Sequence, residues 1–293
     1  MAAPIVNLPT AYLNGIYLPL DEARISPLDR GFLFGDGIYE VIPCYNGRLF
    51  RLKQHLDRML RSLAAIQLAS PHSEAEWARI LDGLVQHNGG GHQSVYLQIS
   101  RGAPNTRDHR FPDQCPPTVF AYATRLDDPD TRTLDSETGI HCITCEDIRW
   151  ARCDIKAVAL LANVLLREQA RQAGCDEAIL IHNGWVTEGS TSNVFVVSDG
   201  EILTPAAGPD ILGGITRDLV IELAARHGLP LLESFIDPRL LQQADEIWIS
   251  SSTRGVRPVV MLDSQPVGDG RPGPVWRKMA EYYAVFRRAL MTN

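Results

Sequence analysis

The amino-acid sequence predicts a mixed α/β (α+β) protein of two domains. At 293 residues the chain exceeds the about 100–200 residues of a typical domain. Strand-like and helix-like patterns alternate along it and are joined by tight turns. A polar, turn-rich stretch without periodicity at 127–136 is typical of a linker. We therefore expect a small N-terminal domain at 1–127, an interdomain linker at 128–136 and a larger C-terminal domain at 137–293.

Hairpins and amphipathic helices make up the predicted N-terminal domain. Asn-Gly pairs at 14–15 and 46–47 lie between apolar stretches, and both residue types tolerate the positive φ of a two-residue hairpin turn. Apolar residues then recur at helical spacing over 53–68 and over 74–87. Two further strands are predicted at 94–100 and 118–124.

The predicted C-terminal domain alternates strands with helices. Its strands are expected at 139–150, 178–182, 185–187, 193–197 and 247–251, and its helices at about 158–173, 216–227, 238–244 and 274–290. Hairpin turns at Asn183-Gly184 and Asp199-Gly200 indicate largely antiparallel neighbours. Because no GxGxxG segment follows a strand, the pattern argues against a doubly wound dinucleotide-binding fold.

Composition excludes several classes of partner. The net charge is −7, with 28 basic and 35 acidic side chains interspersed, so neither nucleic acid nor an anionic membrane is expected to bind. No secretory signal pattern begins the sequence, and the longest uncharged apolar run, 157–166, is too short to span a bilayer. The six scattered cysteines are then expected to be reduced thiols in a cytoplasmic protein. No metal site is expected, since the CITC segment at 142–145 is predicted to be a strand and has no second ligand pair.

Lys156 is the lysine whose surroundings indicate chemistry. The chain has only three lysines, and Lys53 and Lys278 lie on the polar faces of predicted helices. Lys156 instead follows a predicted strand and has apolar neighbours, among them Ile155 and Ala157. Low-dielectric surroundings favour the neutral amine, the form that attacks an aldehyde to make a Schiff base. A lysine at the start of a helix that extends its amine to solvent is the alternative.

Two downstream segments support a cofactor site. Glu188 ends a predicted strand and precedes a hydroxyl-rich turn, where its carboxylate could pair with a pyridinium nitrogen. Gly213 and Gly214 precede Ile215 and Thr216 at the start of a predicted helix, whose free N–H groups can bind an anion. The hydroxyl-rich segment at 250–253 offers further donors.

These motifs resemble the fold type IV pyridoxal-phosphate enzymes, also called class IV aminotransferases, and within them the bacterial D-amino-acid aminotransferases. The resemblance runs from about Leu13 to Lys278. Its densest matches are DRGFLFGDGIYEV at 29–41, HLDRM at 55–59, EDIRWARCDIK at 146–156, GCDEAIL at 174–180, TEGSTSNVF at 187–195 and GITRD at 214–218. The resemblance implies pyridoxal 5′-phosphate as cofactor, a small N-terminal α/β domain, and a larger C-terminal domain with a mostly antiparallel, barrel-like sheet.

The resemblance also implies roles for individual residues. Lys156 is similar to the lysine that forms the Schiff base with the cofactor, and Glu188 to the carboxylate partner of the pyridine nitrogen. Leu212 resembles the apolar residue against the face of the ring. Residues implied to bind the phosphate are Arg58, Ile215, Thr216, Ser251 and Ser252.

The substrate carboxylate is implied to bind Tyr39, Arg107 and His109. In the family the last two come from the partner subunit, so the resemblance implies a homodimer. A guanidinium suits a carboxylate because it donates two parallel hydrogen bonds. The loop between the RG dipeptide at 101–102 and Arg107 is one residue longer than the usual family spacing, which affects the loop tip more than the type of reaction.

We therefore expect transamination of D-amino acids, D-alanine among them, by a ping-pong cycle with 2-oxoglutarate or pyruvate as amino acceptor. A branched-chain L-aminotransferase and an aminodeoxychorismate lyase of the same fold are the alternatives. A cofactor-binding protein without catalysis is a third interpretation, which the full set of site residues disfavours.

Overall fold

The computed structural model describes residues 6–131 and 133–292. The chain divides into two compact units. The first unit runs to Pro129 and also includes Ile155–Ala159. The second unit comprises Asp130–Asp154 and continues from Leu160. The short segment Ile155–Ala159, which the sequence analysis assigned to the C-terminal domain, thus packs with the first unit.

The first unit is built on a six-stranded antiparallel sheet. Its strands are β1 (Asn7–Leu13), β2 (Ile16–Pro19), β3 (Gly37–Tyr45), β4 (Arg48–Leu49), β5 (Gln93–Ser100) and β6 (Thr118–Arg125), in the order β2-β1-β6-β5-β3-β4. Its helices are α1 (Arg30–Phe34), α2 (Leu52–Ala65) and α3 (Glu74–His87). Both predicted hairpins and the predicted helices at α2 and α3 are confirmed.

One face of this sheet forms the core of the first unit. Apolar side chains of the strands, such as Ile38 and Ile42 on β3, pack with Leu56 and Met59 of α2 and with Trp77 of α3. Ile155 and Ala157 belong to the same buried cluster. The segment returns to this unit because it adds apolar side chains to the core and pairs with β3, where Ala157 bridges Ile38.

The second unit is built on a nine-stranded sheet. Its strands are β7 (Ile140–Glu146), β8 (Glu177–His182), β9 (Trp185–Gly189), β10 (Asn193–Ser198), β11 (Glu201–Thr204), β12 (Leu231–Glu233), β13 (Glu246–Ser251), β14 (Gly255–Leu262) and β15 (Gln265–Pro266). Its helices are α4 (Leu161–Gln172), α5 (Ile215–His227), α6 (Pro238–Gln243) and α7 (Pro274–Thr292). These elements confirm the mixed α/β class.

Most neighbouring strands of this sheet are antiparallel. The order is β12-β11-β10-β13-β14-β7-β8-β9, with β15 paired to β14, and β7 is parallel to both of its neighbours. The terminal strand β9 also contacts β10, so the sheet curls back on itself. Cys142 and Cys145 of β7 lie in different buried clusters and therefore do not share a face.

Three predicted boundaries are wrong by three residues or more. The helix predicted over 53–68 ends at Ala65. The strand predicted to reach 150 ends at Glu146, because the Asp147 carboxylate accepts the Arg149 N–H at 3.0 Å and turns the chain. The helix predicted from about 158 begins at Leu161, because the N–H of Val158 donates to the carbonyl oxygen of Gly37 instead. Within the described residues, no helix is long and apolar enough to cross a membrane.

Candidate active site

Lys156 lies against the ring of Tyr39 in the first unit. Its flanking residues Ile155 and Ala157 are buried, which fixes the backbone while the Lys156 side chain stays half-exposed. The Tyr39 N–H donates to the Lys156 carbonyl oxygen at 2.9 Å, and the Lys156 N–H donates to Ser62 Oγ at 3.3 Å. Lys156 Nζ lies 4.3 Å from the centre of the Tyr39 ring, within the range of a cation–π contact. The structure thus brings together two residues that the sequence analysis selected for the site.

Tyr39 belongs to a row of aromatic side chains on the sheet face opposite the core. Its ring stacks on Tyr96 at 5.6 Å between centroids, and Tyr96 contacts Tyr122 at 5.3 Å. Side chains alternate across a strand, so Ile38 and Glu40 point to the other face and are fully buried. Burial raises the pKa of Tyr96 above its ordinary value, so the Tyr96 hydroxyl stays uncharged. The Lys156 amine therefore lies beside an aromatic surface.

Arg58 is held by a buried carboxylate. Its Nε and Nη2 donate to the two oxygens of Glu40 at 2.8 and 2.7 Å, and His55 Nδ1 lies 2.8 Å from Glu40 Oε2. Burial opposes the charge of Glu40, but Arg58 outweighs it and holds the pKa of Glu40 well below its ordinary value. Burial also lowers the pKa of His55. The guanidinium that was predicted to bind phosphate is thus oriented by a bidentate ion pair.

Arg107 and His109 meet at one aromatic ring. Both lie on an exposed loop, with Arg107 Cζ 4.8 Å and the His109 ring 5.1 Å from the ring centre of Phe34. The buried Arg30 fixes this loop, because its guanidinium donates to the carbonyl oxygens of Asp108 at 2.5 Å and of His109 at 3.3 Å. Sequence reasoning missed Arg30, although it lies within the matched segment 29–41.

The base of this loop is anchored by a second arginine. Asp36 accepts from Arg30 Nε at 2.7 Å and from Arg101 Nε at 2.9 Å. Both cations lower the pKa of Asp36, although its burial acts in the opposite direction. Gly102 follows with φ +89°, and a Cβ there would collide with the carbonyl oxygen of Pro116. The residues at which the loop begins are therefore held in place by ion pairs and by close packing.

Glu188 is a buried carboxylate of the second unit. It lies on β9 and is 4% exposed. The Leu212 N–H lies 3.1 Å from each of its oxygens, and Asn193 Nδ2 donates to Oε2 at 3.0 Å. Arg149 Nη1 donates to Oε1. The structure thus joins Glu188 to Leu212, another predicted site residue.

Arg149 divides its charge between two carboxylates. Its Nε and Nη2 donate to Asp147 at 2.9 and 2.7 Å, while Nη1 faces Glu188. Burial raises the pKa of Glu188 to about 7, and the shared Arg149 only partly offsets that effect. A buried cluster of two carboxylates and one guanidinium lacks one cation. Arg149 was also missed by sequence reasoning, and its signal was the segment EDIRW.

The N-terminus of α5 lies three residues after Leu212 in the chain. The helix begins at Ile215, both Ile215 and Thr216 are buried, and the N-cap Gly214 provides no side-chain cap. A Cβ at Gly214 would collide with Asn193 Oδ1, so this approach requires glycine. The uncapped N–H groups of a first turn favour an anion.

Ser251 and Ser252 lie at the end of β13 and are half-buried. The hydroxyl of the preceding Ser250 is buried and has no hydrogen-bond partner among residues 6–131 and 133–292. This hydroxyl is therefore free to donate to a further group. Sequence reasoning noted this hydroxyl-rich segment but selected its two later serines.

The second unit therefore fits a ligand with a cation at one end and an anion at the other. Glu188 needs a cationic partner, and the first turn of α5 favours an anion. Leu212, whose N–H binds Glu188, is three residues before Ile215. A protonated pyridine ring that carries a phosphate has this pattern of charge.

A comparison with models of protein families matches residues 37–262 to "Amino-transferase class IV". The chain belongs to the class IV aminotransferases. Members of this family are pyridoxal-phosphate enzymes, so this aminotransferase uses pyridoxal 5′-phosphate, in agreement with the charge pattern around Glu188.

Curated relatives cover almost all of this aminotransferase. A D-alanine aminotransferase of Listeria monocytogenes serotype 1/2a (strain 10403S) is 39% identical over 271 residues, 92% of this chain and 93% of the relative. A D-alanine aminotransferase of Staphylococcus haemolyticus is 40% identical over 272 residues, with 92% and 95% covered.

A solved structure shares the fold of this aminotransferase at low sequence identity. The branched-chain amino acid aminotransferase of Escherichia coli superposes with a TM-score of 0.86 at 24% identity and covers 94% of this chain and 93% of its own, which shows the fold alone.

Proposed function

We propose that this aminotransferase transfers the amino group of a D-amino acid, D-alanine among them, to 2-oxoglutarate or pyruvate. The observation that carries the proposal is the 39–40% identity, over 92% of the chain, to proteins named D-alanine aminotransferase. The cationic loop with Arg107 and His109 supports it, because a carboxylate substrate needs such donors.

We assign the cofactor to a defined set of residues. Lys156 binds its aldehyde carbon, Glu188 its ring nitrogen, and Leu212 supports its ring. The phosphate is assigned to Arg58, Ile215, Thr216, Ser251 and Ser252. The uncapped first turn of α5 supports the assignment of Ile215 and Thr216, and the ion pair with Glu40 supports a fixed orientation of Arg58.

When bound, pyridoxal phosphate supplies an aldehyde that binds amines and a protonated ring that accepts an electron pair from Cα. Lys156 would then act as the general base: its amine would take the proton from Cα of the amino acid and would deliver a proton to the former aldehyde carbon of the cofactor. The Tyr39 ring beside Nζ restricts the directions from which the amine can reach a proton.

Glu188 keeps a proton on the ring nitrogen. Its buried carboxylate is ionised when a cation faces it, and Arg149 and Asn193 hold both oxygens in place. Without that proton the ring withdraws electrons less strongly, and removal of the Cα proton slows. The first product leaves before the oxo acid binds, so the cycle is ping-pong.

The α-carboxylate of the substrate is assigned to Tyr39, Arg107 and His109. Their position relative to the reacting carbon sets which enantiomer presents its Cα–H to Lys156, and we assign the D series. We further infer a homodimer in which Arg107 and His109 serve the partner's site. The exposure of both side chains supports this inference. The unpaired cysteines support function in the cytoplasm.

The decisive test is a substrate panel. Purified enzyme is incubated with 2-oxoglutarate and matched D- and L-amino acids, and the oxo-acid product is measured. We expect D-alanine to react at least about tenfold faster than L-leucine or L-valine, a difference of about 1.4 kcal/mol in barrier. The reverse order would overturn the D assignment in favour of a branched-chain aminotransferase. Release of pyruvate from aminodeoxychorismate without an amino acceptor would indicate the lyase.

A further inference from the structure

In the segment Asp147-Ile148-Arg149, the aspartate and the arginine form an ion pair with each other. Asp147 Oδ1 accepts the N–H and Nε of Arg149 at 3.0 and 2.9 Å, and Oδ2 accepts Nη2 at 2.7 Å. The same arrangement occurs at Asp237 and Arg239, where the distances are 2.9, 3.0 and 2.5 Å. The chain therefore uses one local motif in two different surroundings.

The two copies differ in burial and in what the arginine reaches. The side chains of Asp147 and Arg149 are each 5% exposed, whereas those of Asp237 and Arg239 are 38% and 85% exposed. Thr187 Oγ1 also donates to Asp147 Oδ2 at 3.0 Å, and Arg149 Nη1 reaches Glu188. In the buried copy, Arg149 thus donates a further N–H to a second carboxylate, that of Glu188.

This geometry affects how strongly Glu188 attracts positive charge. If Arg149 faced Glu188 alone, the two charges would cancel and Glu188 would have little need of a further cation. Asp147 occupies two nitrogens of the guanidinium and adds a negative charge, so the buried cluster has a net charge of −1 whenever Glu188 is ionised. Charges interact strongly in such surroundings because water does not screen them.

Within the described residues, the other groups that face Glu188 do not supply the missing charge. Leu212 and Asn193 contribute neutral N–H donors. The nearby Cys153 is a neutral thiol, because burial raises its pKa to about 11. Arg149 Nη2 also donates to the carbonyl oxygen of Asp210, another neutral group.

We propose that Asp147 is a positioning residue that tunes Glu188: by holding Arg149 and sharing its charge, it makes the Glu188 site selective for a cationic ring nitrogen. The proposal rests on the assigned role of Glu188 as the partner of that nitrogen. Asp147 itself contacts Arg149 and Thr187 and acts on Glu188 through Arg149.

The test compares Asp147→Asn with Asp237→Asn in the full-length chain. Both changes remove the charge from the same local motif and keep its size, and asparagine at 237 can still cap α6. Cofactor-free protein is titrated with two non-covalent probes. One is pyridoxamine 5′-phosphate, and the other is its 1-deaza analogue, in which a C–H replaces the ring nitrogen.

We expect Asp147→Asn to weaken the binding of pyridoxamine 5′-phosphate on the order of tenfold, because one buried negative charge near the ring nitrogen is lost. The affinity for the deaza analogue should change less than about twofold, since this analogue carries no ring-nitrogen proton for Glu188 to bind. Asp237→Asn should leave both affinities unchanged. An equal loss for both probes, no loss for either, or the same losses in Asp237→Asn would overturn the proposal.

A second measurement does not depend on cofactor binding. The Glu188 carboxyl is followed by carbon NMR in protein labelled at the glutamate side chains, with Glu188→Gln used to assign the signal. Asp147→Asn should lower the pKa of Glu188, because the full charge of Arg149 then acts on it; an unchanged titration would contradict the proposal. Failure of the wild-type chain to bind pyridoxamine 5′-phosphate would contradict the proposed function instead, and the titration would still decide the role of Asp147.

Discussion

The Nζ of Lys156 lies 4.3 Å from the ring centre of Tyr39, and the backbones of the same two residues are joined by a 2.9 Å hydrogen bond. One residue assigned to proton transfer and one assigned to substrate binding are thus held by a shared backbone contact. Any shift of β3 at Tyr39 therefore moves the backbone of Lys156 as well.

Lys156→Ala should abolish multiple-turnover transamination, because the variant has neither the amine that binds the cofactor nor the base that moves the Cα proton. Loss of a general base alone costs about 10²–10⁴-fold in rate. Lys53→Ala is the matched control, since Lys53 is exposed and pairs with Asp57 on the surface. Oxo-acid formation from D-alanine measures both. Near-normal turnover by Lys156→Ala would mean that another residue has these roles.

Arg30→Lys should raise the KM for the amino acid with a much smaller change in kcat. Lysine keeps the positive charge beside Asp36 but loses the planar fork that holds the carbonyl oxygens of the loop with Arg107 and His109. The loss of one or two such hydrogen bonds predicts a rise of about tenfold. Arg24→Lys is the control, because Arg24 is exposed and donates to carbonyl groups close to it in the chain. An unchanged KM would show that Arg30 does not position the loop for substrate.

Glu40→Gln should destabilise the protein by about 3 kcal/mol, since it leaves the charge of Arg58 buried with a neutral partner. Urea unfolding measures the change. Glu168→Gln is the control, because its pair with Arg171 is on the surface. A loss no larger than in this control would argue against a strong buried pair.

The same pair predicts acid sensitivity. The folded-state pKa of Glu40 is lowered, so its stabilisation is present above the ordinary glutamate pKa of about 4.3 and is lost as pH falls below it. The lowered pKa of His55 acts in the same direction, beginning below the ordinary histidine pKa of about 6.5. Glu40→Gln should therefore lose less stability than the wild type between pH 4 and pH 3 (roughly the window in which an unfolded glutamate protonates). If the stabilities of the wild type and of Glu40→Gln fell in parallel over this pH range, the link between the charge of Glu40 and stability would be refuted.

Gly102→Ala should be more destabilising than Gly89→Ala. Both residues have positive φ, +89° and +81°, but a Cβ at 102 would collide with the Pro116 carbonyl oxygen, while nothing lies within 4 Å at 89. The backbone strain alone costs about 1 kcal/mol, and the clash adds to it. Thermal unfolding compares the two variants. Equal shifts would show that the chain at Pro116 moves away without cost.

Local patterns predicted most of the fold. The helix predicted at 74–87 has the observed bounds, because a Ser73 capping box starts it and a glycine-rich turn ends it. The turns at Asn183 and Asp199 form hairpins as expected. Strand β14 was not predicted, because Pro258 lies within it and proline normally disfavours an interior strand. Strand β14 also pairs with β7, which is distant in sequence, so local patterns could not predict this pairing.

The site was less accessible to sequence reasoning than the fold. Motifs led to Lys156 and Glu188, but the residues that hold them depend on contacts across the fold. Glu177 is a clear example: fully buried, it accepts the hydroxyls of Ser190, Thr191 and Ser192 in the turn after Glu188. Its place in GCDEAIL marked it only as part of a matched segment. Arg30 and Arg149 were missed for the same reason, because their partners lie up to 80 positions away.

The packing of Ile155–Ala159 with the first unit affects the order in which the protein can fold during translation. Ile155 and Ala157 belong to the buried cluster of the first unit, so this cluster is complete only after those residues have left the ribosomal exit tunnel. By then the opening strand of the second unit, β7, has already been synthesised. Lys156, the proposed catalytic lysine, lies within Ile155–Ala159. The first unit is therefore completed at the same stage of synthesis at which Lys156 reaches its place in the fold.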